Sequence, residues 1–376
     1  MSVSVKNIYR STLKSAETLP MSIEVTKTRA AEIMAIVRKS PIYRDIEWTS
    51  EQQKEFDAFW IENYGRKISN RWHKLYQAMS GEFHVDYIPE MLYTTQIEPL
   101  MNDRSYAVAL EDKSLLETIC HNCGCVLPKT FFVCSAGQFY DSNRLPISQE
   151  QAYNRLAYSG QIVLKHTIGS NSGRGIEFLN VSDEVGFKEK SALISMGRDY
   201  IVQERIIPHP IFATLNATSI NTIRLITYIC DDETHHAPIS LRVGRDNSNV
   251  DNIHAGGLVI GVEDDGQLLP TAFELGYGDR CIKYTHHPDT NVCFKDVVLP
   301  NIEGVIRAGY QMHGKFPHIG IISWDFTIND QNQVILVEAN IMGQSVWFPQ
   351  IVHGKGIFGN NTKKILHNLR CKGDKG

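Results

Sequence analysis

The sequence predicts an α/β or α+β protein with a mainly helical front. Three observations carry this. Residues 1–105 place apolar side chains at three- and four-residue spacing among charged ones. From residue 106 onward the texture changes to alternating strand-like and helix-like stretches. Near the end, residues 321–343 read IISWDFTINDQNQVILVEANIMG, two apolar runs separated by a polar turn, the pattern of a β-hairpin.

With 376 residues the chain is long enough for two or three domains, and 42% hydrophobic with 21% charged residues is the composition of an ordinary folded protein. A formal net charge of -4 without a basic run gives no reason to expect nucleic acid as a partner. The opening MSVSVKNIYR lacks the apolar core of a signal peptide, and no window approaches the roughly twenty apolar residues of a membrane span, so a cytoplasmic location is expected. Eight cysteines are then read as reduced thiols. The cluster Cys120-His121-Asn122-Cys123-Gly124-Cys125 could suggest zinc, but no second CxxC or HxxxH follows it, and buried thiols are the better reading.

In the front, helices are expected over 30–37, 51–63 and 68–79, the second started by Thr49-Ser50-Glu51. Phe56, Phe59, Trp60, Tyr64, Trp72 and Tyr76 are core candidates. No chemistry is visible here, and a docking surface and half of a substrate cleft remain equally open. A first unit is assigned to 1–105, a second to 106–202 and a third to 203–376.

The second unit is expected to run as a strand at 106–110, a short helix to Cys120, a strand at 130–134, a helix at 148–158 and a strand at 161–164. That last strand ends in KHTIGSNSGRG, residues 165–175. A lysine at a strand end followed by small residues lets an ammonium and backbone N–H groups gather around phosphate oxygens. The spacing is neither a P-loop nor a dinucleotide fingerprint, and a flexible hairpin tip is the alternative.

An apolar strand over 199–207 crosses from the second unit into the third, carries Gln203-Glu204 and stops at Pro208-His209-Pro210. Arg224 in SINTIRLITY and Arg242 in SLRVGR sit inside apolar runs, where a guanidinium requires an anion. A shared bound anion and internal salt bridges to an Asp or Glu are both open. Gly256-Gly257 allow a close backbone approach, and residues 283–290, KYTHHPDT, read as a substrate loop. In the closing hairpin, Asp325, Glu338 and Asn340 would converge as hard oxygen ligands suited to Mg2+, against the plainer reading of solvent-facing carboxylates. Residues 343–348 and 352–358 read as loops, and 361–369 as a closing helix.

In this order, Asp112-Lys113, Lys165 with its glycine loop, Gln203-Glu204, NTIR with Arg224, and Asp325 with Glu338-Ala339-Asn340 resemble the ATP-grasp superfamily, and more closely its sugar-transfer-associated family. The segments FWIENYGRKISNRWHKLY and YIPEMLY extend the resemblance into the front. It implies two α/β lobes with ATP between them. By position, Lys113 and Lys165 would hold phosphates, with the loop carrying Gly169, Ser170, Ser172, Gly173 and Gly175 over them. Gln203, Glu204, Ile206, Ile207 and His209 would meet the nucleoside, and Asp325, Glu338 and Asn340 would hold magnesium. Many relatives carry an arginine two residues before the metal aspartate. Ser323 stands there in this sequence, so the catalytic role falls to Arg224 or Arg242 alongside Lys165. The second substrate is expected at Asn252, Gly256, Gly257, Lys283 and His287, from their order in the chain.

The activity so implied is ATP-dependent joining of a small-molecule carboxylate to an amine through an acyl phosphate. A kinase on the same scaffold, or a nucleotide-binding accessory protein docked on a glycosyltransferase, are the alternatives. A homodimer is a further expected partner.

Overall fold

The computed structural model describes residues 23–120, 123–168, 175–246, 248, 251, 256–275 and 281–373. The expected helices of the front are present as α1 (Ile23–Arg38), α2 (Ser50–Tyr64) and α3 (Arg71–Ser80). Thr49 and Gln52 close a reciprocal capping box at the start of α2, and Gly65 ends it at φ 85°, a left-handed conformation that favours glycine. Phe56, Trp60 and Tyr76 are fully buried, as core candidates should be.

Two expectations fail locally. Residues 104–110 form a helix, α4 (Arg104–Leu110), where a strand was expected, because the Asp103 side chain accepts from Ser105 N and caps it. The alternation of Tyr106, Val108 and Leu110 imitates a strand, but the two intervening alanines favour helix. Part of the expected loop after Gly343 is also helical, since Trp347–His353 forms a helix with Pro349 in its first turn, where the lost N–H costs no bond.

Six strands form the first sheet: β1 (Thr130–Ser135), β2 (Gln138–Tyr140), β3 (Pro146–Ile147), β4 (Gly160–His166), β5 (Ile176–Val181) and β6 (Tyr200–Glu204), in the order β3-β2-β1-β6-β4-β5. Eight form the second: β7 (Ile223–Cys230), β8 (Glu233–His236), β9 (Ile239–Val243), β10 (Leu258–Val262), β11 (Leu268–Leu275), β12 (Cys281–Tyr284), β13 (Ile321–Ile328) and β14 (Val334–Asn340). Its order is β12-β11-β10-β9-β7-β13-β14, with β8 beside β7. Every ladder described is antiparallel, so the strand and helix alternation resolves into the α+β form.

Side-chain alternation divides the second sheet into two faces. Ile223, Leu225, Leu241, Trp324 and Phe326 join the main core with Ile302, Val305, Ala308 and Met312 of a covering helix, Ile302–His313. On the other face, Ile226, Tyr228 and Ile321 pack against Phe56, Trp60 and Tyr93 of the front. Thr222, Arg224, Arg242, Ser323 and Asp325 share that second face but belong to no apolar cluster. This polar strip is the floor of the site.

Cys120 and Cys123 are buried in the main core, and the Cys125 thiol lies 3.3 Å from Met312 Sδ. His121 lies outside the described residues. No helix among the described residues is long and apolar enough to cross a membrane.

Candidate active site

The hairpin has the expected strands with one irregularity. Going along the ladder, Phe326 faces Leu336, but Asp325 faces Glu338, so Val337 is an extra residue on β14. Glu338 and Asn340 are thereby turned onto the same face as Asp325 and Ser323. Asn102, 3% exposed, fastens the hairpin's base: its amide N–H groups donate to Ile321 O and Ile341 O, both at 2.8 Å.

Asp325 is 2% exposed and both its oxygens are engaged. Arg224 grips it bidentately, Nε to Oδ1 at 2.6 Å and Nη2 to Oδ2 at 2.9 Å, and Arg242 Nη2 reaches Oδ2 at 2.8 Å. Burial alone would raise this carboxyl, yet the two guanidiniums hold it below the ordinary carboxylate range. The anion that the two buried arginines required is therefore Asp325 itself. Thr222 Oγ1 accepts from Arg242 Nε at 2.9 Å and donates to Asp251 Oδ2, which orders the second guanidinium. Ser323 is fully buried with its hydroxyl unpartnered among the described residues, and positive charge reaches this strip from β7 and β9 instead.

Above the strip, Lys113 Nζ lies 2.8 Å from Glu338 Oε1. Lys165 is 8% exposed, donates to Gln203 Oε1 at 3.4 Å, and is lowered to about 8 by burial, with Glu338 opposing and Lys113 adding to the shift. Lys113 N also donates to Thr167 O, which ties the two lysine segments together. The fold thus brings Lys113, Lys165, Gln203, Glu338, Asn340, Asp325 and both arginines into one neighbourhood. Gly169, Ser170, Ser172 and Gly173 lie outside the described residues, as does Asn252. Gly175 has φ 69° and its missing Cβ would come within 2.2 Å of the His166 ring, so a side chain here would disturb the loop's closing turn.

Glu204 is exposed, and its carboxylate accepts from Lys129 N at 2.9 Å at the end of β6. Ile207 is 66% exposed just beyond it, with Ile206 half-buried, and His209 Nδ1 caps the helix Pro210–Leu215 by accepting from Ile211 N at 3.3 Å. Gly256 turns at φ 93° with Gly257 buried beside it, and Lys283 lies on the edge strand β12 over the Phe273 ring. His287 is fully buried, facing Gly244 O at 3.1 Å and accepting from Asp289 N at 3.2 Å.

A cleft of about 630 Å³ opens beside Lys113, Glu338 and Asn340 and extends under the helical front. None of Gly256, Gly257, Lys283 and His287 lines it. Its walls include Glu90, Glu98, Glu111 and Arg104, none of which the sequence reading singled out, and Trp72, which it assigned to the core. Three glutamates hold the backbone that follows Asn340. Glu111 Oε1 accepts from Ile341 N and Met342 N, both at 2.8 Å. Glu98 Oε1 accepts from Gly343 N at 2.8 Å, and Glu90 accepts from Ser345 Oγ at 2.8 Å and Val346 N at 3.1 Å. The available signal was a glutamate within apolar surroundings, in IPEML and again in QIEPL.

A family model described as sugar-transfer associated ATP-grasp matches residues 92–365, nearly three quarters of the chain. The chain belongs to that family. Its match starts after α3, so the first front helices lie outside it. The ATP-grasp fold is accordingly that of the two sheets described. Likenesses among solved structures include N5-carboxyaminoimidazole synthetase from Staphylococcus aureus complexed with ADP, at 10% identity and TM-score 0.37, covering 62% of this chain and 45% of that one. VanG D-Ala:D-Ser ligase from Enterococcus faecalis is similar at 13% identity and TM-score 0.41, covering 72% and 63%. D-alanyl-alanine synthetase A from Vibrio cholerae is similar at 10% identity and TM-score 0.40, covering 71% and 65%. The ATP-grasp chain spans about half the length of the first and less than two thirds of the other two. No curated protein matches it in sequence.

Proposed function

We propose that the chain is an ATP-dependent ligase that joins a carboxylate to an amine through an acyl phosphate, with a sugar acid, amino acid or peptide among the substrates. One observation carries this reading: Lys113, Glu338 and Asn340 line a cleft large enough for a small molecule, with Lys165 near Glu338 and with Arg224 and Arg242 held on Asp325, directly opposite Glu338 in the hairpin. Lys113 and Lys165 are the phosphate-binding groups. Among the described residues the buried Lys165 ammonium has only an amide oxygen within hydrogen-bond reach, and phosphate oxygens would supply the missing negative charge.

Magnesium would fit Glu338 and Asn340. The Glu338 carboxylate is partly exposed on the cleft wall, and Asn340 directs its N–H groups toward Ser323 O and Asp325, which leaves its oxygen as a donor. Asp325 fits less well, because both oxygens are already neutralised and it is nearly closed to solvent. Its role in this proposal is to align Arg224 and Arg242. When bound, magnesium supplies charge neutralisation on the phosphate oxygens.

The substrate carboxylate oxygen attacks the terminal phosphorus of ATP, and the bond to the ADP oxygen breaks. The charge spread over the transferred phosphoryl group is met by lysines and arginines fixed beforehand. The amine nitrogen then bonds to the acyl carbon and the carbon–oxygen bond to phosphate breaks. Of the two protons shed by the entering ammonium, one leaves with phosphate and one goes to a carboxylate or solvent. No nucleophilic side chain is required. The test is ADP release from ATP and magnesium with panels of acids and amines. Release only with both supports the ligase, release with one alone supports a kinase, and tight ATP binding without turnover supports an accessory protein.

A further inference from the structure

β14 ends at Asn340, and the two amides that follow it turn away from the sheet. Ile341 N and Met342 N both donate at 2.8 Å to a single carboxylate oxygen, Glu111 Oε1, 230 residues before Ile341 in the chain. Glu111 closes α4, its own N–H bonded to Ala107 O, and stands two residues before Lys113. Glu338, which meets the Lys113 ammonium at 2.8 Å, stands three residues before Ile341. The two contacts close a ring. One side is segment 111–113, the other is segment 338–341, and they are joined by a backbone clasp at one end and an ion pair at the other.

The two joints do different things. The ion pair connects two long side chains in the cleft wall and leaves their backbones free to shift. The clasp fixes the backbone after Asn340 against the backbone before Lys113. An ionised acceptor makes the stronger hydrogen bond to an amide, and one oxygen that meets two successive N–H groups sets direction as well as distance. Segment 111–113 is itself held. Asp112 Oδ1 accepts from Ser114 N at 2.9 Å and from Ser114 Oγ at 2.6 Å, and Lys113 N donates at 2.9 Å to Thr167 O, just past Lys165. The Glu111 carboxylate therefore ties the lysine-bearing end of the first sheet to the hairpin of the second. Glu98 and Glu90 continue the row along residues 343–346, but neither adjoins a lysine of the site.

We propose that Glu111 is a positioning residue: by holding the Ile341 and Met342 amides it sets the spacing between Lys113 and the pair Glu338 and Asn340. The proposal rests on the ligase reading, which gives Lys113 to phosphate and Glu338 and Asn340 to magnesium. Its consequence is coupling between nucleotide and metal. Phosphate oxygens on Lys113 and a cation on Glu338 and Asn340 strengthen each other only at the separation that lets them touch, and Glu111 holds that separation before either arrives. Groups that orient metal ligands without touching the ion are worth about tenfold to a hundredfold in metal affinity.

The test is calorimetry on the full chain with a non-hydrolysable ATP analogue, titrated once in EDTA and once with saturating manganese in place of magnesium. The ratio of the two affinities measures the coupling, which a loss of stability alone does not change in protein that is still folded. Glu111→Ala should cut the ratio at least about tenfold while altering the affinity in EDTA by less than about threefold. Glu111→Gln keeps an oxygen at the same reach and should stay within about threefold of the parent ratio, whereas Glu111→Asp keeps the charge, falls short of the amides and should lose the ratio as Glu111→Ala does. The contrast between Gln and Asp decides the matter even where the alanine variant does not fold. An unchanged ratio in Glu111→Asp, or a ratio in Glu111→Gln as low as in Glu111→Asp, would overturn the proposal. The parent chain is titrated first. Failure to bind the analogue, or no gain from manganese, sinks the ligase reading, whereas a gain that Glu111→Asp retains sinks the positioning role alone.

Discussion

Asp325 and Glu338 stand directly opposite one another across β13 and β14, although uninterrupted alternation from the Phe326–Leu336 pair would set Glu338 against Trp324 in the core. The extra residue, Val337, resolves the conflict between a strand that must bury Leu336 and one that must present Glu338. On one face Leu336 and Ala339 are buried, while on the other Glu338 and Asn340 reach the cleft.

If Glu338 is the carboxylate that meets the metal, Glu338→Gln removes its charge at almost constant volume. Turnover should fall at least about a hundredfold, because a charge fixed at the transferring group is worth several kcal/mol there. Circular dichroism and Tm should change little, since Glu338 is partly exposed and its protein partner is Lys113. An unaltered kcat in a folded Glu338→Gln chain would remove this residue from the reaction.

Lys165 should be read out through nucleotide affinity. Its ammonium is buried beside Gln203 and lowered to about 8, a state that phosphate oxygens would relieve. Lys165→Ala should weaken ATP binding tenfold or more, about 1.4 kcal/mol, by calorimetry at fixed magnesium. Equal affinity in a folded variant would mean that the phosphates lie elsewhere.

How much of this was legible in the sequence depended on whether a local rule or a tertiary contact decided the outcome. The hairpin, the Thr49 cap and the buried arginines follow from alternation, capping and the cost of unpaired charge, and each is present. That an internal Asp or Glu would be the arginines' anion was one of two readings, and that it would be Asp325 was not legible, because pairing between strands a hundred residues apart leaves no local trace. Helix α4 was hidden because Tyr106, Val108 and Leu110 alternate while the deciding group, the Asp103 carboxylate, lies before them. The chemistry of the front was missed for the same reason as the pairing. Glu90 and Glu98 acquire meaning only when residues 341–346 pack against them.

The Asp325 pairing has a stability consequence distinct from any role in turnover. Removing its charge leaves Arg224 and Arg242 facing each other, 12% and 19% exposed, without an anion. Breaking one side of a buried ion pair costs about 3–5 kcal/mol. Asp325→Asn should therefore lower the urea midpoint markedly at an unchanged m-value, both with and without nucleotide. A midpoint equal to that of the parent chain would show that water, not Asp325, balances the two guanidiniums.

A last prediction concerns acid. His313 is fully buried in the helix that covers the main core, and burial favours its neutral ring. Nε2–H donates to Ile319 O at 2.9 Å, while Nδ1 accepts from Thr227 Oγ1 at 2.6 Å, and that hydroxyl oxygen in turn accepts from Trp324 Nε1 at 2.8 Å. Burial pushes this histidine down to about 4 from its ordinary 6.5. The unfolded chain takes up the proton below 6.5 and the folded chain only near 4, so the neutral ring's contribution is complete above 6.5 and is lost as pH falls toward 4. Burial pushes Glu98 the opposite way, up to about 7, and it stabilises the fold as pH falls, so the total acid profile mixes both signs. The difference between the parent chain and His313→Leu isolates the histidine, because every glutamate is common to both. That variant should be less stable by about 1–3 kcal/mol at pH 7.5, since it leaves the Thr227 hydroxyl and Ile319 O without their partner. The gap in Tm should then narrow steadily between pH 6.5 and 4.5. A gap that stays constant or widens over this window would mean that His313 is charged in the folded protein and that the Thr227 oxygen, not its proton, faces the ring.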